Sequence, residues 1–245
     1  MLALYITLAV LAALLLVMIL RTILTKPKPL DSGVFTPHPL DKDEIAAHLS
    51  GAIQIPTVSL ADDSYPDKPF LDYKKYIEET YPNFARAAKL TVISNYSLIY
   101  QIDGADKSLL PACFLSHIDV VPAPAEGWDV PPFSGAIADG CVWGRGARDM
   151  KSQMIAALEA IEYHLKNKTP FKRSIYCCFG HDEEITTRVG APKIVEYFKS
   201  LGVEFEFVLD EGGIMLDGAM LGVSGRLALI GTCEKGYVDV KISAK

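Results

Sequence analysis

The chain has 245 residues, half of them hydrophobic and 22% charged, which is enough to form the core of one full domain and part of a second. Its formal net charge of −6 excludes the basic surface that binding to nucleic acid requires. The five cysteines show no C-x-x-C spacing, and three of them lie in apolar runs, so we expect buried free thiols.

The first segment is a long apolar run. From Leu2 to Leu20 it contains no charged side chain, which matches the roughly 20 residues that a helix needs to cross a membrane. A cleaved signal peptide is the alternative, but its apolar core is usually about 7–15 residues long, and no A-x-A site follows here. We therefore expect residues 1–25 to form a single-pass transmembrane anchor. Residues 26–40 contain four prolines and should form an extended tether.

Helical and strand patterns alternate after the tether. Helical patterns begin at Asp41 and cover residues 73–88, 152–165 and 191–201. Apolar, strand-like runs occupy residues 98–102, 112–116, 174–179 and 205–209. This alternation predicts an α/β domain in which helices cover a largely parallel sheet.

Histidine and acidic residues are concentrated where the predicted strands end. His117-Ile-Asp119, His181-Asp-Glu-Glu184 and Asp210-Glu211 each follow a strand, and Asp149 lies just before the long helix. Each group alone could be a surface pair, a helix cap or a turn. Together they should meet at one edge of the sheet, where so many carboxylates would repel one another unless a cation neutralised them. Imidazole and carboxylate ligands suit zinc, manganese or cobalt.

The adjacent Glu183 and Glu184 suggest a division of labour within such a centre. Two ions that share a carboxylate, about 3.5–4 Å apart, can generate a hydroxide near neutral pH. One glutamate can then bind metal while the other takes the proton from the bridging water. The pattern therefore favours metal-assisted hydrolysis.

Five short blocks follow one another along the chain: HIDVVP at 117–122, GWDVPPF at 127–133, GRGARDMK at 144–151, GHDEE at 180–184 and LDEGG at 209–213. In this order they resemble the carboxypeptidase S branch of the di-zinc aminoacylase and carboxypeptidase family, from about residue 40 to the end. The resemblance implies a di-zinc exopeptidase fold of the phosphorylase/hydrolase type. It also implies hydrolysis of an amide bond next to a free carboxylate, in a short peptide or an N-acyl amino acid.

The resemblance implies four ligands for two Zn²⁺ ions, with Co²⁺ or Mn²⁺ as possible substitutes. His117 would bind one ion and Glu184 the other, while Asp149 would bridge both. Asp210 would complete the first site. In some relatives the ligand at this place aligns with Glu211, but Asp210 directly follows the apolar strand and is preferred.

Further roles follow from the same resemblance. Asp119 would orient the metal-bound imidazole, and Glu183 would be the general base and later the acid that protonates the leaving amine. The peptide bond between Asp149 and Met150 is expected to be cis. His181, although it lies beside the glutamates, is expected to be a structural residue at the end of its strand.

Complete members of this family carry an inserted lid and dimerisation domain, then more catalytic sheet and a final histidine ligand. Residues 231–245 resemble the first strand of that inserted domain. We therefore expect residues 41–230 to be the N-terminal part of the zinc-binding catalytic domain and the chain to be truncated after the insertion starts. A homodimer is expected only where the missing domain is present.

Three questions stay open at this point. Relatives are usually lumenal, vacuolar or secreted, whereas the positive charges that follow the apolar run favour a cytoplasmic catalytic part. A truncated, membrane-anchored module that binds metal or a partner without turnover is the alternative function. A mononuclear iron oxygenase is disfavoured, because no second histidine has a suitable context.

Overall fold

A computed structural model describes residues 2–25, 38–60, 65–185 and 189–233. The chain divides into two units, Met1–Leu40 and Asp41–Lys245. In the first unit, helix α1 (Leu2–Leu24) is exposed along its whole length. It is long and apolar enough to cross a membrane, a criterion that a signal sequence near the N-terminus also meets. Of the predicted tether, only residues 38–40 are among the described residues. Of the predicted start of an inserted domain, only residues 231–233 are.

The second unit contains helices and strands that alternate along much of the chain. Its α-helices, within the described residues, are α2 (Lys42–Ile53), α3 (Asp67–Thr80), α4 (Pro82–Ala87), α5 (Lys151–Lys166) and α6 (Ala191–Leu201). Its strands, within the same residues, are β1 (Lys89–Ile93), β2 (Ser97–Ile102), β3 (Ala112–His117), β4 (Ala136–Ala138), β5 (Cys141–Trp143), β6 (Ile175–Gly180), β7 (Phe207–Leu209), β8 (Ile214–Asp217) and β9 (Arg226–Leu229).

One helix predicted over residues 73–88 is two helices in the structure. Helix α3 ends at Thr80, and α4 begins at Pro82. Proline has no N–H to donate and disfavours the helical conformation of the residue before it, so Tyr81 leaves the helix while Pro82 starts the next one.

Five strands form the central sheet in the order β1-β2-β6-β3-β7. Strand β3 pairs in parallel with β6 and β7, whereas β2 pairs antiparallel with β1 and β6. The prediction of a largely parallel sheet is therefore wrong, because the sheet is mixed. The physical reason is the short turn between β1 and β2, with Ser94 and Asn95 at positive φ, which can join only antiparallel neighbours.

Helices cover both faces of this sheet. Leu98 and Tyr100 of β2 belong to a core that includes α2–α5, whereas Ile99 belongs to a second core with α6. This division follows from the alternation of side chains along a strand. Strand β6 is buried along its whole length. The predicted buried free thiols are confirmed for the cysteines that lie in these strands: Cys113, Cys177 and Cys178.

The three strands that carry the predicted metal-binding residues lie side by side. In the parallel register, His117 at the end of β3 lies opposite Gly180 at the end of β6. Strand β7 pairs with β3 over only three residues, all of them about half exposed. It is the last strand on its side of the central sheet within the described part of the chain.

Candidate metal centre

The imidazole of His117 is the centre of the site. The side chain is 3% exposed, and its Nδ1 lies 2.9 Å from the backbone oxygen of Asp119. Because a carbonyl oxygen only accepts hydrogen bonds, Nδ1 carries the proton and donates it. The other nitrogen, Nε2, therefore faces the acidic groups and is the atom available to a metal ion.

Three carboxylates surround Nε2 of His117. Its distance is 3.0 Å to Oδ1 of Asp149, 3.6 Å to Oε1 of Glu211 and 3.7 Å to Oε2 of Glu183. Two groups of three residues have ligand atoms within 4.8 Å of one another: His117 with Asp149 and Glu184, and His117 with Glu183 and Glu211. The clusters predicted after β3, β6 and β7 thus come together with Asp149, which lies two residues before α5.

The structure distinguishes the two acidic residues after β7. Glu211 joins one of the groups around His117, whereas Asp210 belongs to neither group among the described residues. The carboxylate of Asp210 accepts a hydrogen bond from the backbone N–H of Glu211. The geometry favours Glu211, the alternative to the preferred Asp210.

The charges around His117 show that the site favours a cation. Burial raises the pKa of Glu211 to about 7, and the charges of Asp149 and Glu183 raise it as well. Burial lowers the pKa of His117, but hydrogen bonding to Asp119 and the surrounding carboxylates raise it to about 10. Without metal, the imidazolium is the positive charge among these acids. One imidazole nitrogen with several carboxylate oxygens fits zinc, cobalt or manganese.

Asp119 links the two strand ends that carry the site. It is fully buried, and its carboxylate accepts hydrogen bonds from the Ser59 hydroxyl at 2.7 Å and from the backbone N–H groups of Glu183 and Glu184 at 3.2 Å each. Burial raises the pKa of Asp119, but the hydrogen bonds from His117 and Ser59 outweigh it and hold the pKa below its usual value. The carboxylate therefore stays ionised.

Asp149 and Met150 join the loop at residues 144–151 to helix α5. The peptide bond between them is cis, as the resemblance implied. The carboxylate of Asp149 is 61% exposed, whereas Met150 is buried and its sulfur accepts a hydrogen bond from the backbone N–H of His117. The bridging role of Asp149 remains a prediction, although it contacts the imidazole as that role requires.

His181 occupies a different environment. It is buried, its Nδ1 lies 2.7 Å from the Ser97 hydroxyl, and Tyr65, Phe70 and Tyr96 surround its ring. Burial lowers its pKa, so the ring is neutral near pH 7. This placement agrees with the structural role expected for His181.

Three residues around the site are not identified by the sequence patterns. Thr57 and Ser59 are fully buried, and no periodicity or spacing marks them. Lys151 is also fully buried, and burial lowers its pKa to about 7. Its position as the first residue of a long apolar helix, directly after a predicted ligand loop, is a signal that could have identified it.

Comparisons with known proteins identify the family of the chain. A family profile described as Peptidase family M20/M25/M40 matches residues 113–241. The chain is 42% identical over 205 residues to the N-fatty-acyl-amino acid synthase/hydrolase PM20D1 of Xenopus tropicalis, covering 83% of this chain and 40% of that protein. It is 38% identical over 245 residues to the probable carboxypeptidase S-like 2 of Dictyostelium discoideum, covering 95% of this chain and 47% of that protein.

A solved structure shows the same fold. The M20 family metallo-carboxypeptidase Sso-CP2 from Sulfolobus solfataricus superposes with a TM-score of 0.56 at 22% identity, over 71% of this chain and 38% of that chain. The chain spans less than half the length of each of these three proteins. Because the profile matches more than half of its residues, the chain belongs to peptidase family M20/M25/M40, a family of metallohydrolases.

Proposed function

We propose that the chain is the metal-binding part of an amidohydrolase that cleaves an amide bond next to a free carboxylate. The observation that supports this is the group of carboxylates around Nε2 of the buried His117. The relatives' names point to N-acyl amino acids and to peptides with a free C-terminus as substrates. Both classes share an amide nitrogen attached to a carbon that bears a carboxylate.

Two zinc ions are the cofactors we propose, with cobalt or manganese as substitutes. His117 would bind one ion through Nε2, Glu184 would bind the other, and Asp149 would contact both. Either Asp210 or Glu211 would complete the first site, and the distances favour Glu211. When bound, the metal polarises the amide carbonyl and lowers the pKa of a bound water.

Glu183 is the group we propose as general base. Burial raises its pKa, which brings it closer to the range in which a carboxylate can both accept and release a proton near neutral pH. It would take one proton from the attacking water as the oxygen bonds to the amide carbon. It would then give that proton to the nitrogen as the C–N bond breaks, which yields a carboxylic acid and an amine. Asp119 holds the backbone of Glu183 for both steps.

Helix α1 is proposed as a single-pass membrane anchor. Its 23 residues span roughly 35 Å at about 1.5 Å per residue, enough for the hydrocarbon core. Carbonate extraction of membranes, followed by N-terminal sequencing, tests this. A protein that stays in the membrane with its N-terminus intact supports the anchor, whereas a soluble protein that begins after residue 25 identifies a signal sequence.

The proposed chemistry is tested by the zinc content of the purified chain, and by hydrolysis in a protein that also contains the expected remainder of the catalytic domain. Asp149→Ala should lose zinc. Glu183→Gln should keep zinc and lose hydrolysis of an N-acyl amino acid by about 10²–10⁴-fold. Glu204→Gln is the matched control, because this exposed glutamate lies before β7, away from the carboxyl ends that carry the site.

The outcomes separate the two candidate functions. A protein with that remainder that binds zinc through Asp149 but hydrolyses neither substrate class would replace the enzyme with a metal-binding module. A wild-type chain that binds no zinc would refute the metal centre.

A further inference from the structure

The segment from Ala52 to Ser59, called here the brace, lies behind the metal centre. It leaves the end of α2 and contains two fully buried hydroxyl side chains, those of Thr57 and Ser59. A buried hydroxyl needs a hydrogen-bond partner, because its removal from water is otherwise unfavourable. The partners of these hydroxyls show what the brace holds.

One set of contacts fixes the turn that follows β3. The Thr57 hydroxyl donates to the backbone oxygen of Ile118 at 2.5 Å, and the Ser59 hydroxyl donates to the carboxylate of Asp119 at 2.7 Å. Two backbone hydrogen bonds run between Val120 and the brace, at 3.0 and 3.2 Å. The turn that begins at His117 is thus tied to the brace by four hydrogen bonds.

A second set of contacts fixes the loop that carries Asp149. The ammonium group of Lys151 donates to the backbone oxygens of Ala52 at 3.0 Å and Ile55 at 2.8 Å, and it lies 4.6 Å from the centre of the Tyr73 ring. Lys151 is the first residue of α5, two residues after Asp149. The segment that carries Asp149 is therefore attached to the other half of the brace.

The two attachments are also packed against each other. A Cβ atom added at Gly146 would lie 2.8 Å from a methyl group of Val120 and 3.2 Å from Cδ of Lys151. The glycine therefore allows the Asp149 loop to pass directly against the turn after His117. A displacement of either attachment would be transmitted to the other.

General stability alone does not account for the buried ammonium group. An apolar side chain of similar length would fill the same space without the removal of a charge from water, and such replacements are often neutral or stabilising. A lysine whose donors are directed at two carbonyls of one segment does what an apolar side chain cannot, since it fixes the direction of that segment relative to α5.

We propose that Ser59 and Lys151 are positioning residues that hold the two metal-binding groups His117 and Asp149 at their mutual distance through the brace. This rests on the metal centre proposed above. Neither side chain would touch substrate or metal. Groups that orient metal ligands typically change metal affinity about 10–100-fold when they are removed, and we expect that range here.

Zinc affinity of the chain, measured by competition with a chromophoric chelator, is the first test. Ser59→Ala and Lys151→Met should each bind zinc about 10–100-fold more weakly. Ser50→Ala is the matched control, because its buried hydroxyl donates to the backbone oxygen of Gly135, which belongs to neither the turn after His117 nor the loop at 144–151. The control should lose similar stability and keep its zinc affinity within about twofold. Variants that bind zinc as tightly as this control would overturn the proposal.

The visible spectrum of the Co²⁺-loaded chain adds a readout of ligand geometry. Ser59→Ala should change the positions and intensities of the cobalt bands, whereas Ser50→Ala should leave them unchanged. In the double variant, the loss of affinity should be smaller than the product of the two single losses, since both residues act through one segment. If the loss of zinc affinity in the double variant equals the product of the two single losses, Ser59 and Lys151 act independently, and the shared brace is contradicted.

Hydrogen exchange on the metal-free chain tests the brace separately from the metal. Ser59→Ala should speed exchange of the Lys151 amide, and Lys151→Met should speed exchange of the Val120 amide. If zinc fails to bind to the wild type while these effects occur, the metal centre is wrong and the brace stands. If neither amide responds, the brace is refuted whatever the zinc result. Should Lys151→Met not fold, the response of the Lys151 amide to Ser59→Ala decides whether the brace stands.

Discussion

Asp119→Asn tests how one buried carboxylate holds the two sides of the metal centre. The substitution keeps the shape of the side chain but replaces one acceptor oxygen with an NH₂ group. If the NH₂ group takes the place of Oδ1, it faces the backbone N–H of Glu183; if it takes the place of Oδ2, it faces that of Glu184. Either orientation leaves one buried N–H without an acceptor, and the remaining hydrogen bonds lose their charge. We expect the free energy of unfolding to fall by about 2–4 kcal/mol.

The assay combines urea unfolding of the metal-free chain with a zinc titration. Zinc affinity should fall about 10–100-fold, because the imidazole of His117 loses the negative charge that lies 3.4 Å from its Nδ1. Glu162→Gln is the control, since this carboxylate accepts backbone hydrogen bonds from Asn83 and Phe84 at the start of α4. The control should lose a comparable free energy of unfolding but keep its zinc affinity. Equal zinc affinity in Asp119→Asn and Glu162→Gln would refute the orienting role.

Other expected outcomes concern pH, packing and the loop after β6. In the metal-free chain, His117 and Glu211 bind protons more tightly than in the unfolded chain, where their pKa values are near 6.5 and 4.5. Their contribution to stability is therefore fully present below about pH 4.5 and lost as pH rises through about 7 and then 10. Urea unfolding from pH 5 to pH 9 should show this decline, and saturating zinc should remove it. Leu158→Ala, in the core, should lower the free energy of unfolding by about 2–5 kcal/mol, with the zinc affinity of the folded fraction unchanged. Gly190→Ala should place a Cβ atom 2.1 Å from the carboxylate of Asp182, so hydrogen exchange in residues 183–185 should accelerate; unchanged exchange would contradict this packing.

The order of elements could be predicted from the sequence, whereas the direction of the strands could not. Runs such as residues 174–179 are apolar enough to predict a buried strand, and β6 is buried throughout. Strand β1 was missed, because Lys89–Ile93 is short and partly exposed. Since it forms a hairpin with β2, its omission also concealed the antiparallel half of the sheet.

The grouping of the proposed metal-binding residues was predictable, because most of them follow strands and sequence patterns locate strand ends well. His117, Glu183 and Glu184 all come together as expected. The choice between Asp210 and Glu211 depends on the direction of the backbone after a three-residue strand, which a pattern of apolar residues does not define. The brace was not predictable, since its hydrogen bonds join residues that are about 60 to 100 positions apart.

The short pairing of β7 has a consequence for how fast the site exchanges its ions. Of the three strands that lead to the site, β3 and β6 are internal to the sheet. Among the described strands, β7 pairs only with β3, and over only three residues. Because its three residues are about half exposed, β7 should open locally far more often than the whole sheet unfolds. The release of zinc would then follow the fraying of one edge strand, so that dissociation is much faster than global unfolding.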